Sequence, residues 1–244
     1  MASFVWDRDP QEALNHPFEY HAQEQFYREA TALTEKLAQK LCDDFQYTRQ
    51  DRSLEKATWM LQTDCLHAFK DAVLLLKQEK HRVASRLFRD ILETVHLIEF
   101  LNSDNLSAKK SLSIWYDDQL IMHREYRKYI EKNYGQEQSE LAKTYHRIFS
   151  KFTHRSYKIL LYGYILGSED RIIYDEKWKL KQTISMYYAY LGHFGRLMVK
   201  NLKNFGNLSP TQVESIWEES MEAKQNPRGY LSDEDLKFLG IEEE

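Results

Sequence analysis

Ser85-Arg86-Leu87-Phe88-Arg89-Asp90-Ile91-Leu92-Glu93-Thr94-Val95-His96-Leu97-Ile98-Glu99-Phe100-Leu101 is the stretch on which the fold turns. Wound as an α-helix, it puts Leu87, Ile91 and Ile98 on one side and carries Phe88, Leu92 and Val95 around the back. Arg86, Arg89, Asp90 and Glu93 gather on the strip that remains, in the N-terminal half only. A helix this apolar belongs at the centre of a bundle, so its charged half-stripe is expected to be partly buried and paired. Arg89 and Glu93 stand at i,i+4 and Arg86 and Glu93 at i,i+7, a spacing that sets Glu93 between two guanidinium groups. Two readings stay open. One is a structural ion network that fixes helix register. The other is an anion pocket in which Glu93 orients one arginine and leaves the other for a phosphate.

The flanking sequence is helical in the same way. Only 8 Gly and 4 Pro occur in 244 residues, so uninterrupted elements are long. Phe26, Ala30, Leu33, Leu37 and Leu41 form an apolar stripe at helical spacing, and Trp59, Leu61, Leu66, Phe69, Val73 and Leu76 mark a second helix. The expected fold is all-α: a single bundle of about six long helices plus a short C-terminal one. The helices are expected at roughly 18–47, 53–79, 82–101, 107–133, 136–166 and 178–204, with Ser107 capping the fourth and Gly135 stopping it. A short extended piece is expected at Arg171-Ile172-Ile173-Tyr174. Ser209-Pro210-Thr211-Gln212 is a sharp helix start with capping-box residues. The chain therefore divides into an irregular lead-in (1–17), a bundle domain (18–206), and a C-terminal helical appendage with an acidic tail (207–244).

Net charge is −4, so any anion site must be a local patch rather than a global field. Cys42 and Cys65 have no metal spacing and read as small buried residues in a reducing compartment. The N-terminal residues lack the basic and apolar regions of a signal peptide, and no stretch approaches the roughly 18 apolar residues of a membrane span. A cytoplasmic location without membrane contact is expected.

Arg147 and His154, at i,i+7, lie on nearly one line of the predicted fifth helix. Arg147, Lys151, His154 and Lys158 share a face opposite Tyr145, Ile148, Phe152 and Ile159. That face reads either as a plain solvated surface or as a phosphate-tracking surface with a titratable histidine at its centre. Asp64 with His67, and Glu93 with His96, each pair a carboxylate and an imidazole at i,i+3, as di-metal bundles do. Both lie on consecutive helices and leave the ligand set incomplete, so neither a metal nor a cofactor is expected. Tyr187, Tyr188 and Tyr190 read as packing residues or as base-stacking ones, and Gly192 and Gly195 as points of close helix packing.

Two resemblances follow from these residues. The stretch Ala84–Leu101, with Ser150-Lys151-Phe152-Thr153-His154-Arg155-Ser156 further on, looks like a family of largely uncharacterised bacterial helical proteins. In that family an Arg-rich helix with a Glu is followed by a Ser/Thr-and-His segment, which implies an α-helical fold. The second resemblance is to the HEPN superfamily of helical domains found in toxins, phage-defence systems and RNA-processing factors. Its active members carry an Arg, four to six residues, then a His, and dimerise to form one RNase site. Arg147, six residues and His154 meet that spacing, although the residue after the Arg, usually polar, is Ile148 here. The resemblance implies a cytoplasmic defence- or toxin-type endoribonuclease that needs no metal, with Arg147 and His154 catalytic. It also implies a homodimer and RNA as substrate. The competing expectation, from a different class, is a non-catalytic helical module that dimerises or binds another protein.

Overall fold

The computed structural model describes residues 20–78, 80–154, 157, 164–166, 172–174, 197–198, 200–202 and 206–222. The fold is all-α apart from one small ribbon. Its helices are α1 (Tyr20–Asp44), α2 (Leu54–Lys77), α3 (His81–Leu101), α4 (Leu106–Tyr116), α5 (His123–Thr153) and α6 (Pro210–Ser220). Strands β1 (Tyr164–Leu166) and β2 (Ile172–Tyr174) pair antiparallel, Ile165 opposite Ile173. The expected extended piece at 172–174 is present. Its partner, Tyr164–Leu166, falls where the fifth helix was expected to continue, and α5 ends instead at Thr153.

The apolar stripes do what their spacing predicts. Phe26, Ala30, Leu33, Leu37 and Leu41 of α1 are wholly buried against α2, whose Leu66, Phe69, Val73 and Leu76 face the same core. Helix α3 lies between α2 and α5, with Phe88, Ile91, Leu92 and Val95 in that core and Phe149 and Phe152 of α5 closing it. A smaller cluster of Phe100, Leu101, Ala108 and Tyr126 joins the far end of α3 to α4 and α5. Among the described residues, no helix is long and apolar enough to cross a membrane.

Side-chain caps start α2, α4 and α6. The Ser53 hydroxyl accepts from the Lys56 amide at the head of α2, and Ser209 and Gln212 complete the capping box of α6. Asn105, rather than Ser107, caps α4, its side chain accepting from the Ser107 amide. The expected fourth helix is also broken. After Tyr116 the chain leaves the helix, Asp118 takes a positive φ of 60°, and α5 begins at His123. Helix α6 is no loose appendage: Leu208, Val213 and Met221 enter the main core, and Arg28 of α1 grips Glu222 through two 2.8 Å hydrogen bonds. Cys65 is buried, which raises its thiol pKa, but Cys42 is exposed, contrary to expectation.

Gly135 shapes the site. It has φ 87° and ψ 169° inside α5, a conformation open to glycine and strained for other residues. His123 and His146 are 23 residues apart, which in a straight helix would separate them by roughly 34 Å. Their rings instead lie 4.8 Å apart, centroid to centroid. Gly135 therefore turns the chain back on itself, and α5 is a helical hairpin with arms 123–134 and 136–153.

Candidate functional site

Glu93 projects from α3 toward both arms of this hairpin. Its Oε1 lies 2.7 Å from Arg89 Nε, 3.0 Å from His146 Nε2 and 3.3 Å from His123 Nε2. Arg89 supplies the i,i+4 contact that the helix spacing predicts, while each histidine comes from a different arm of α5. Glu93 and Arg89 keep 25% and 20% of their side-chain surface exposed, so the cluster is half-buried and open to water.

Each imidazole is held at its other nitrogen. Tyr126 Oη lies 2.6 Å from His123 Nδ1, and Ser150 Oγ lies 3.4 Å from His146 Nδ1. The Ser150 hydroxyl donates its one hydrogen to the His146 carbonyl at 2.6 Å, so toward Nδ1 it can only accept. Burial lowers the His123 pKa, Glu93 pulls it back up, and His146 lowers it further. Burial also raises the Tyr126 pKa, with the Glu93 charge adding to it, so that hydroxyl stays neutral.

Arg89 links this cluster to the end of α5. With Nε on Glu93, its Nη1 lies 3.5 Å from His154 Nε2. His154 is the C-cap of α5, its amide donating to the Ser150 carbonyl at 2.9 Å, and its side chain is exposed. A guanidinium with one edge anchored and the other beside an exposed imidazole can hold an anion within reach of a proton carrier.

The residues singled out in the sequence are sorted by this geometry. Arg89, Glu93 and His154 come together. Arg86 does not flank Glu93; its Nε donates to the Phe152 carbonyl at 3.3 Å, tying α3 to the last turn of α5. The second and third nitrogen groups on Glu93 are the two histidines, not a second guanidinium. Arg147 and Lys151 are exposed on α5 beyond the cluster, and no hydrogen bond or ion pair engages either among the described residues. The described partner of His154 is Arg89 rather than Arg147. Lys158, Ile159, the tyrosines at 187–190, and Gly192 and Gly195 lie outside the described residues. Ile148, expected on the buried face, is exposed at 36%, and Phe149 is buried in its place.

The i,i+3 carboxylate–histidine pairs do not build a metal site. Asp64 and His67 are exposed, and His96 is buried beside Lys200 rather than turned to Glu93. The convergent group among the described residues is Glu93, His123 and His146, whose ligand atoms all lie within 4.8 Å of one another. Nothing in the sequence around His123 marks it for this cluster, because a glycine at 135 predicts a helix stop and the reversal it makes depends on its backbone angles. No family model, curated protein or solved structure matches this chain.

Proposed function

We propose that this protein is an HEPN-like endoribonuclease that cuts RNA by internal transesterification, with Arg89 and His154 as its working pair. The observation that carries this reading is the approach of Arg89 Nη1 to His154 Nε2 at 3.5 Å, with Arg89 Nε held on Glu93. In this reaction the RNA's own 2′-oxygen attacks the adjacent phosphorus. The 2′-proton passes to a base, the P–O5′ bond breaks, and the 5′-oxygen leaves with a proton. Histidine can serve at neutral pH, and the attacking oxygen belongs to the substrate, so no metal-activated water is drawn into the step. Arg89 offers its outer donors to the phosphoryl oxygens as charge grows there. Arg147 and Lys151, exposed on the same helix, supply positive charge along which a strand can lie.

The test is single-stranded RNA incubated with the full chain. The expected product ends in a 2′,3′-cyclic phosphate, and its rate falls on the order of a hundredfold or more in His154→Ala. Cleavage unchanged in both His154→Ala and Arg89→Ala would overturn the assignment.

A second reading, a helical module for self-association, has its own support. Ile114, Leu120 and Met122, on and after α4, are 40%, 92% and 61% exposed. Apolar side chains clustered this closely in sequence are uncommon on a surface that meets only water. The two readings join if a second copy covers this segment, since HEPN-type sites are built from two chains. Sedimentation of wild type and Leu120→Lys tests the module: a concentration-independent monomer in both removes it, and RNA cleavage by that monomer would leave the nuclease reading standing without it.

A further inference from the structure

The Glu93 carboxylate poses a problem that hydrogen bonding alone solves poorly. Three nitrogen groups crowd onto the single oxygen Oε1. In the His146 tautomer that carries its hydrogen on Nδ1, toward Ser150 Oγ at 3.4 Å, Nε2 presents its lone pair to Glu93. That lone pair faces a carboxylate oxygen 3.0 Å away. Two acceptors at this distance can be bridged by a proton or by a metal ion. The same arrangement is what a metal ion requires, with each imidazole fixed at Nδ1 by an oxygen partner and Nε2 turned inward.

We propose that Glu93, His123 and His146 bind one divalent transition-metal ion, zinc by ligand type, in the mouth of the Gly135 hairpin. Two imidazoles and a carboxylate form a recurrent three-residue zinc set, with water completing the shell. Around tetrahedral zinc, neighbouring ligand atoms stand about 3.3 Å apart, given bonds of about 2.0–2.1 Å. Two separations, 3.0 and 3.3 Å from Glu93 Oε1 to the two Nε2 atoms, already fit, and with all three ligand atoms within 4.8 Å of one another the two imidazoles would close in on the ion. Tyr126 and Ser150 then accept from the Nδ1 hydrogens, and Arg89 remains on the carboxylate as an outer partner. The ion joins three segments distant in sequence: α3 and both arms of α5. It holds Glu93, and through Glu93 the Arg89 guanidinium. This inference does not rest on RNA cleavage.

The test uses untagged full-length protein, stripped with a chelator, then titrated with Zn2+ and separately with Co2+. Metal analysis after gel filtration is expected to give one equivalent per chain, and the cobalt form to show visible ligand-field absorption that zinc abolishes. His123→Gln and His146→Gln should each abolish both signals, with circular dichroism confirming retained helix. Ser150→Ala should weaken binding about tenfold, as loss of an outer-shell partner does. His154→Ala and His67→Ala should bind as wild type. Wild-type protein that retains no metal and gives no cobalt band overturns the proposal outright. So does binding that survives both His123→Gln and His146→Gln. Because no RNA enters these measurements, a protein that binds zinc and cuts nothing removes only the nuclease reading, and one that cuts RNA but binds no metal removes only this one.

Discussion

Glu93 and Glu99 sit six residues apart on the same helix, each met by positively charged or titratable groups from elsewhere in the fold, and they are built to opposite ends. Glu93 keeps a quarter of its side chain in water and draws three nitrogen groups onto one oxygen. Glu99 keeps 8% and faces Lys200 at 3.3 Å, an ion pair by distance although its Oε2 lacks a well-aligned hydrogen bond. Tyr134 also hydrogen-bonds Glu99, which holds its hydroxyl proton more tightly than usual. Near Glu99, burial drives the His96 pKa down to about 3, with Lys200 and then His146 and His123 adding to the effect. A sealed charge is committed to its partner and serves the fold. A half-open one can exchange its partner for a ligand, which is what a site needs.

The sharpest way to break this contrast is Glu99→Ala. It strands Lys200, whose pKa is already lowered by burial, without its counter-charge. The expected loss is about 3 kcal/mol of stability, the lower end for a broken buried pair because Lys200 is partly solvated. An unchanged urea midpoint would mean that Glu99 is no more structural than Glu93.

Arg89→Lys probes the open site. Charge is kept and the planar fork is lost, so RNA cleavage is expected to fall on the order of a hundredfold, equivalent to about 2.7 kcal/mol of barrier. Stability should move by less than about 1 kcal/mol, since the pair is partly solvated. A large drop in melting temperature with cleavage intact would reverse the two roles.

His96 gives the contrast a pH dependence. Its folded pKa lies below the unfolded value near 6.5, so the unfolded chain takes the proton first. The contribution is present in full above pH 6.5 and is lost as pH falls toward 3, by about 1.4 kcal/mol per pH unit. Denaturant midpoints of wild type and His96→Gln at pH 7.5, 6 and 5 measure it; the variant's slope should be shallower by about that amount. Parallel slopes would show that His96 is reached by water.

The smallest effect is expected at Arg147→Ala. Its exposed side chain should cost less than about 0.5 kcal/mol in stability, and cleavage should weaken only as far as strand binding does. Loss of cleavage equal to that of His154→Ala would return the catalytic arginine to the position that spacing along one helix suggests.

That last comparison shows where sequence reading succeeds and where it stops. The α1 stripe, the Ser209 capping box and the pairing of Arg89 with Glu93 are local patterns, set by helical periodicity within a few residues, and all were legible. The partnership of Arg89 with His154 spans 65 residues and depends on how α3 meets α5. No periodicity encodes it. The i,i+7 spacing and the family resemblance point to Arg147, which is exposed, whereas the guanidinium beside His154 is that of Arg89. His123 was hidden by a single backbone angle, since a glycine that ends a helix and one that reverses it look alike in sequence.

The reversal at Gly135 also makes the chain count. His123 precedes it by 12 residues and His146 follows it by 11, so both rings arrive at Glu93 only if both arms keep their lengths. One residue inserted into either arm would swing the histidine beyond it through about 100° and shift it by about 1.5 Å. The hairpin could survive such an insertion as a folded object, since its tip is open: nothing lies within 4 Å of where a Gly135 Cβ would stand. The cluster could not. Length variation in 124–145 should therefore be tolerated only in compensating steps of whole helical turns, a reading-frame rule written in three dimensions.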